Sequence, residues 1–162
     1  MIDTNIIAYA HDVNSPNHQV AAALLEKALG QKFEAVISIQ NISELYSVLT
    51  NSRKLKNPLS PQEASRICKL YLSSAEIPKI APNERAILRA LELASELNRK
   101  GGDFFDCVLA ATMESEDVKK ILTKNVSDFK EFKFVSAASP ITEHESRDSI
   151  AKGRDTHKEA YR

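Results

Sequence analysis

Residues 101–113 read Gly101-Gly102-Asp103-Phe104-Phe105-Asp106-Cys107-Val108-Leu109-Ala110-Ala111-Thr112-Met113. The glycine pair is suited to ending the helix before it. Asp103 then begins a helix, Phe104 to Met113, that is apolar almost all round and therefore belongs in the interior. Asp106 breaks the pattern. An unpaired carboxylate inside an apolar helix loses its hydration at a cost, and a cation would relieve that cost.

Outward from this helix, short runs rich in Val, Ile and Phe alternate with stretches of helical period. The runs predict strands at Met1–Asp3, Ala35–Ser38, Ile77–Ile80, Lys120–Thr123 and Lys133–Val135. Between them, Val20, Leu24, Leu25 and Ala28 share a face of a helix that Asn17 is placed to cap, and Ile42, Leu45, Val48 and Leu49 share a face of another. Ser60-Pro61-Gln62-Glu63 combines an N-cap serine, a proline at the first helical position and a glutamate two residues on, a strong helix start. Asn83 opens a long helix expected to turn Ile87, Leu88, Leu91, Ala94 and Leu97 inward and to end at Gly101-Gly102. Strands alternating with helices imply an α/β fold around a mostly parallel sheet of about five strands. In such sheets ligands bind beyond the carboxyl ends of the strands.

The chain has 162 residues, the size of one domain, and its 22 Lys plus Arg balance 22 Asp plus Glu. Neutrality overall, with a pI near 6.9, gives no global sign of a nucleic-acid partner, so any such partner depends on local patches. Arg53, Lys54 and Lys56 cluster in a polar loop, Asn51–Leu59, that lacks acids and best suits phosphate. Further basic residues (Lys119, Lys120 and Lys124; Arg85, Arg89, Arg99 and Lys100) read equally well as solvated surface balanced by Glu84, Glu92 and Glu96. Cys68 and Cys107 sit in apolar helical patterns and read as reduced, partly buried thiols. No basic segment followed by a long apolar one opens the sequence, and the longest apolar run, near Cys107–Met113, is too short to span a bilayer. A cytoplasmic protein with no membrane association is expected. His11, His18, His144 and His157 are assigned to solvated surface with no metal role, and residues 139–162, poor in core-forming side chains, to a polar tail outside a domain of residues 1–138.

Each acid also has a structural reading. Asp3, directly after the first strand, is placed to cap a helix over Asn5–Ala10. Asn41-Ile42-Ser43-Glu44 has the spacing of a capping box, which would occupy Glu44 without chemistry. Asp103 and Asp106 have the same offset, so one of them is expected to be a cap. Asn125 and Asp128 follow the fourth strand in what fits an Asx turn. Taken together, however, these acids fall at or just after strand ends, on the ligand rim of the sheet. A set of carboxylates without His or Cys suits Mg²⁺ or Mn²⁺, which prefer oxygen ligands and retain several waters.

Four segments in order make the pattern specific. "MIDTNIIAYA", "SIQNISELYSVLTN", "GGDFFDCVLAATM" and "ILTKNVSDF" resemble the signature segments of the PIN-domain family over residues 1 to 136, and the likeness extends to its VapC-like ribonucleases. The resemblance implies a three-layer α/β/α fold and a metal-dependent endoribonuclease, the toxin of a toxin–antitoxin pair. It implies Asp3, Glu44 and Asp106 as catalytic acids and metal ligands, with Asp106 preferred to Asp103 because it immediately precedes the Cys-Val-Leu-Ala-Ala run. Asn125 stands where many members carry a fourth acid, which leaves Asp128 as the fourth catalytic candidate. Thr4, Asn5, Asp103, Thr123 and Asn125 would support these acids, and Arg53, Lys54 and Lys56 would bind RNA. The cofactor implied is Mg²⁺ or Mn²⁺; the partners are an RNA substrate, a small antitoxin protein and a second copy in a homodimer. Compared with the family, the first strand is short.

Two other readings stand beside this one: a catalytically silent PIN-like module that binds RNA or protein, and, ranked last, a metal-dependent phosphatase. No second aspartate two residues after Asp3 supports an aspartyl-phosphate enzyme. No Ser-His or Cys-His pair suggests a covalent nucleophile.

Overall fold

Met1 and Ile2 fall in different cores although they are neighbours in sequence: Met1 packs with Ile121 and Phe132, Ile2 with Ile6 and Ile37. That alternation is the period of an extended segment with both faces covered. A computed structural model of the chain describes residues 1–141. Its helices are α1 (Thr4–His11), α2 (His18–Leu29), α3 (Ile39–Leu49), α4 (Pro61–Ser73), α5 (Glu84–Glu96) and α6 (Phe104–Ser115). Its strands are β1 (Ile37–Ser38), β2 (Lys79–Ile80), β3 (Lys120–Leu122) and β4 (Ser136–Ala138).

β1 pairs with β2 and β3 with β4, both in parallel. The N-terminal segment joins the two pairs. Ile2 bridges Leu122 in parallel, Asp3 N donates to Leu122 O at 3.0 Å, and Ile2 N donates to Val36 O at 2.9 Å on the other side. Backbone bonding thus runs in the order β2, β1, residues 1–3, β3, β4. The first core holds residues of α1 to α4, and the second holds residues of α5 and α6 with Phe129 and Phe132. This is a three-layer α/β/α fold. Burying each large aliphatic side chain, such as Ile6, Leu45 or Ile121, contributes about 1.5–3 kcal/mol.

Several elements differ from their sequence reading for physical reasons. Helix α5 turns Ala86, Ala90 and Leu93 inward, with Ala94 and Leu97 partly buried, while Ile87, Leu88 and Leu91 are exposed. Small alanines let α5 approach α6, and that close approach outweighs burial of the larger side chains. The helix also stops before the glycine pair. Asn98 adopts φ 52°, Arg99 N donates to Ala94 O at 2.9 Å, and Asn98 N to Ser95 O at 3.4 Å, a Schellman closure with asparagine in the left-handed position. Val20 of α2 is exposed, and Asn17 precedes that helix without a side-chain cap bond.

The last strand is Ser136–Ala138 rather than Lys133–Val135. Phe132 and Val135 are drawn into the second core, which leaves the next three residues to pair with β3. The packed chain also continues past Ala138, because Ile141 is 7% exposed and joins the first core. Residues 142–162, the rest of the expected tail and with it His144 and His157, lie outside the described residues. The other two histidines are not simply solvated. His11 Nε2 lies 2.9 Å from the Tyr71 hydroxyl and the His18 ring 3.2 Å from Tyr9 O. Cys68 and Cys107 are free and buried. No helix among the described residues is long and apolar enough to cross a membrane.

Candidate active site

Asp3 ends the central segment of the sheet and begins α1, so one carboxylate performs two tasks. Its Oδ1 accepts from Thr4 N at 2.6 Å, the cap bond of α1. Its Oδ2 accepts from Asn5 Nδ2 at 2.7 Å and from the Thr123 hydroxyl at 2.6 Å. Asn5 is held in turn: its Oδ1 accepts from Lys124 N at 3.1 Å, and its Nδ2 also donates to Thr123 Oγ1 at 3.0 Å. The capping reading of Asp3 is correct but incomplete, since a cap alone needs neither Asn5 nor Thr123.

Glu44 is no part of a capping box. The box of α3 is formed by Ser38 and Asn41, with Ser38 N donating to Asn41 Oδ1 at 3.1 Å, so Glu44 lies a turn further along. Its Oε2 accepts from the Thr4 hydroxyl at 3.1 Å and its Oε1 from Gln40 Nε2 at 2.8 Å. Asn41, fully buried, donates through Nδ2 to Thr4 Oγ1 at 3.0 Å and so ties α3 to the residue after Asp3. Gln40 donates also to Phe105 O at 3.0 Å, linking the helix that carries Glu44 to the one that carries Asp106. Neither Gln40 nor Asn41 stood out as a site residue in the sequence. The available signal for Gln40 was its i, i+4 spacing to Glu44 on one helix face.

Asp106 lies in the first turn of α6, half-buried, and among the described residues it has no hydrogen-bond donor and no ion-pair partner. Its carboxyl is pushed up to about 7, chiefly by burial, then by the negative charges of Asp128 and Asp3; Arg99 opposes the rise and Glu44 adds to it. Asp3 is raised as well. Burial is the main cause, the Thr123 and Thr4 bonds oppose it, and Glu44 and Asp128 add repulsion. These mutual effects place all four acids within one electrostatic neighbourhood.

Asp128 sits in the 3₁₀ segment Val126–Phe129 rather than in an Asx turn, and its Oδ1 accepts from the Ser127 hydroxyl at 3.1 Å. Asn125 contributes its backbone, donating from N to Thr123 Oγ1 at 3.0 Å. Asp103 is exposed and makes no side-chain cap bond to α6. Arg53, Lys54 and Lys56 are exposed on the loop after α3, and Lys54 reaches a groove beside Glu44 and Asp106. Arg89 is occupied by Glu92, Glu96 and Glu114, Arg99 by Glu131, and Lys119 by Asp117.

The donor set fits a hard divalent cation in its chemistry, because every candidate ligand is oxygen and Asp106 lacks any counter-group. Among the described residues, no three of the acidic, histidine or cysteine groups stand close enough to hold an ion between them. Glu44 is turned to Thr4 and Gln40.

A model of the PIN domain matches residues 1–135. The chain belongs to the PIN-domain family. Among similar proteins, ribonuclease VapC24 of Mycobacterium tuberculosis is 30% identical over 141 residues, which covers 87% of this chain and 96% of the relative. Ribonuclease VapC43 of the same organism is 28% identical over 110 residues, covering 68% and 75%. The fold agrees with the crystal structure of Mycobacterium tuberculosis VapC20, described as a toxin that cleaves the sarcin-ricin loop, at a TM-score of 0.64 and 18% identity over 83% of this chain and 95% of that one. It agrees also with VapBC2 of Rickettsia felis bound to promoter DNA, at a TM-score of 0.61 and 20% identity over 86% and 96%.

Proposed function

We propose that this PIN-domain protein is a ribonuclease, the toxin of a toxin–antitoxin pair, and that it hydrolyses RNA phosphodiester bonds with Mg²⁺ or Mn²⁺. The observation that carries the reading is the hydrogen-bond network that ties Asp3 to Thr123 across the sheet and, through Thr4, sets Glu44 beside it, in a chain of which 87% aligns with ribonuclease VapC24.

Asp3, Glu44 and Asp106 would hold the cation, with Asp128 beside them. Asp3 Oδ1 accepts one bond and Oδ2 accepts two, so the carboxylate keeps acceptor capacity that a cation would use. When bound, a divalent ion supplies Lewis-acid stabilisation of the phosphate and lowers the pKa of a water molecule. The residues of the chain do the positioning. Thr4, Asn5 and Thr123 hold Asp3, Gln40 and Thr4 hold Glu44, and the exposed Arg53, Lys54 and Lys56 attract the phosphates. Asp106, raised to about 7 chiefly by burial and with no counter-group among the described residues, is the acid whose charge a cation would relieve most. An antitoxin partner belongs to the same proposal. So does a homodimer, supported by the uncovered Leu88 and Leu91 of α5.

Purified protein incubated with RNA and Mg²⁺ or Mn²⁺ tests the reading. Cleavage that stops with EDTA and resumes on adding metal back is expected. Undiminished cleavage in EDTA would overturn the metal mechanism, and RNA binding without turnover would establish a silent module instead.

A further inference from the structure

A groove of about 480 Å³ opens between α3 and the start of α6, and Glu44 and Asp106 form part of its wall. That size is within the range of pockets that take a small organic ligand. Its lining has three components. Phe105, adjacent to Asp106, leaves 55% of its surface uncovered. Its backbone is tied to α3, because its carbonyl accepts from Gln40 Nε2 at 3.0 Å. Ser43 and Ser47, one helical turn apart on α3, line the groove with Asn51 just beyond the helix end.

These polar residues offer both kinds of hydrogen-bonding group. The Ser43 hydroxyl donates to Ile39 O at 3.1 Å and remains an acceptor. Asn51 Oδ1 is taken by Arg53 N at 2.9 Å, and Nδ2 remains a donor. At the end of the row stands Lys54, which has no ion-pair partner among the described residues.

An exposed ring, an edge of mixed donors and acceptors, and a free cation next to clustered acids match the chemistry of a nucleotide. We propose that this groove is a subsite for one unpaired RNA base, stacked on Phe105, with its edge facing Ser43, Ser47 and Asn51 and the adjoining phosphate on Lys54. The inference rests on the ribonuclease reading and adds to it the position of one base beside the scissile bond. Stacking demands an unpaired base, so the substrate is single-stranded or looped at this point.

The test is a binding cycle with fluorescently labelled single-stranded RNA oligomers, kept intact by EDTA. One oligomer is complete, and the others each carry one abasic position. Phe105→Ala should weaken binding of the complete oligomer by about tenfold or more, the range of a lost base–aromatic stack. Phe105→Tyr should restore it. One abasic oligomer should bind wild type as weakly as the complete oligomer binds Phe105→Ala, with no further loss when the two changes are combined. Unchanged binding by Phe105→Ala, or losses that simply add for every abasic position, would overturn the subsite while leaving the ribonuclease reading intact. No RNA binding by wild type, together with no cleavage in Mg²⁺, would overturn both.

Discussion

Thr123 Oγ1 donates to Asp3 Oδ2 across 2.6 Å, joining residues 120 positions apart. The bond runs from the end of β3 to the end of the central segment, so the sheet itself delivers the hydroxyl to the carboxylate. It also counts among the influences that hold the Asp3 pKa down against burial. Thr123→Val keeps the shape and removes both the donor to Asp3 and the acceptor for Asn5 and Asn125. It should lower stability by about 1–3 kcal/mol, because a buried acceptor loses a partner. Activity should fall by about 10- to 100-fold, as expected for a group that orients a metal ligand. The acidic limb of the pH–rate profile should move to higher pH, and a profile shifted the other way would contradict the role given to Thr123.

Asp106 links the site to stability. Its folded-state carboxyl is raised to about 7 from an ordinary 3.8. The folded protein therefore binds this proton more tightly than the unfolded chain does. The associated stability is fully present below about pH 4 and is lost progressively as pH rises towards 7. In metal-free protein, Asp106→Asn should flatten that slope and melt at or above the wild-type temperature near neutral pH. Thermal melts from pH 4 to 8 on both proteins measure it. A large loss of stability in the variant would mark Asp106 as structural.

Much of this arrangement was legible in the sequence because it is local. The run Cys107–Met113, apolar but for Thr112, required a buried helix, and all of those residues are buried. The box at Ser60 and Glu63 forms as its spacing implies. What the sequence hid depends on partners far away in the chain. Neighbouring residues alone make Asn41 and Glu44 look like cap and box, yet Ser38 takes the cap because β1 ends there. Likewise, a leucine-weighted reading of α5 picks Ile87, Leu88 and Leu91, and only the closeness of α6 selects the alanine stripe instead. Asp3, Glu44 and Asp106 could be nominated from motifs, but the hydrogen bonds through Gln40, Asn41 and Thr4 required three dimensions.

Gln40 positions Glu44 and Phe105 together, through bonds of 2.8 and 3.0 Å. Gln40→Ala should reduce turnover by about tenfold while the protein stays folded, since oriented ligands matter more than their number. Gln40→Glu should be worse, because it sets a like charge against Glu44. Circular dichroism and cleavage rates together check this. Equal, near-normal rates in both variants would remove Gln40 from the site.

Ile141 marks the reach of the packed domain. At 7% exposure within the first core, its replacement by alanine should cost about 2–5 kcal/mol. Truncation after Ala138 should carry at least that penalty. Chemical denaturation of the two variants decides it, and a wild-type midpoint in both would place the domain boundary at Ala138.

The convergence of the acids on one cation is most directly tested by Mn²⁺ titration, following the electron-spin signal of free Mn²⁺. Wild type should bind, while Asp3→Asn, Glu44→Gln and Asp106→Asn should each lose most of the affinity and remain folded. Asp103→Asn, whose side chain is exposed and makes no cap bond, should bind as wild type does. Undiminished binding by the first three variants, or a loss in Asp103→Asn as large as in Asp106→Asn, would contradict the site described.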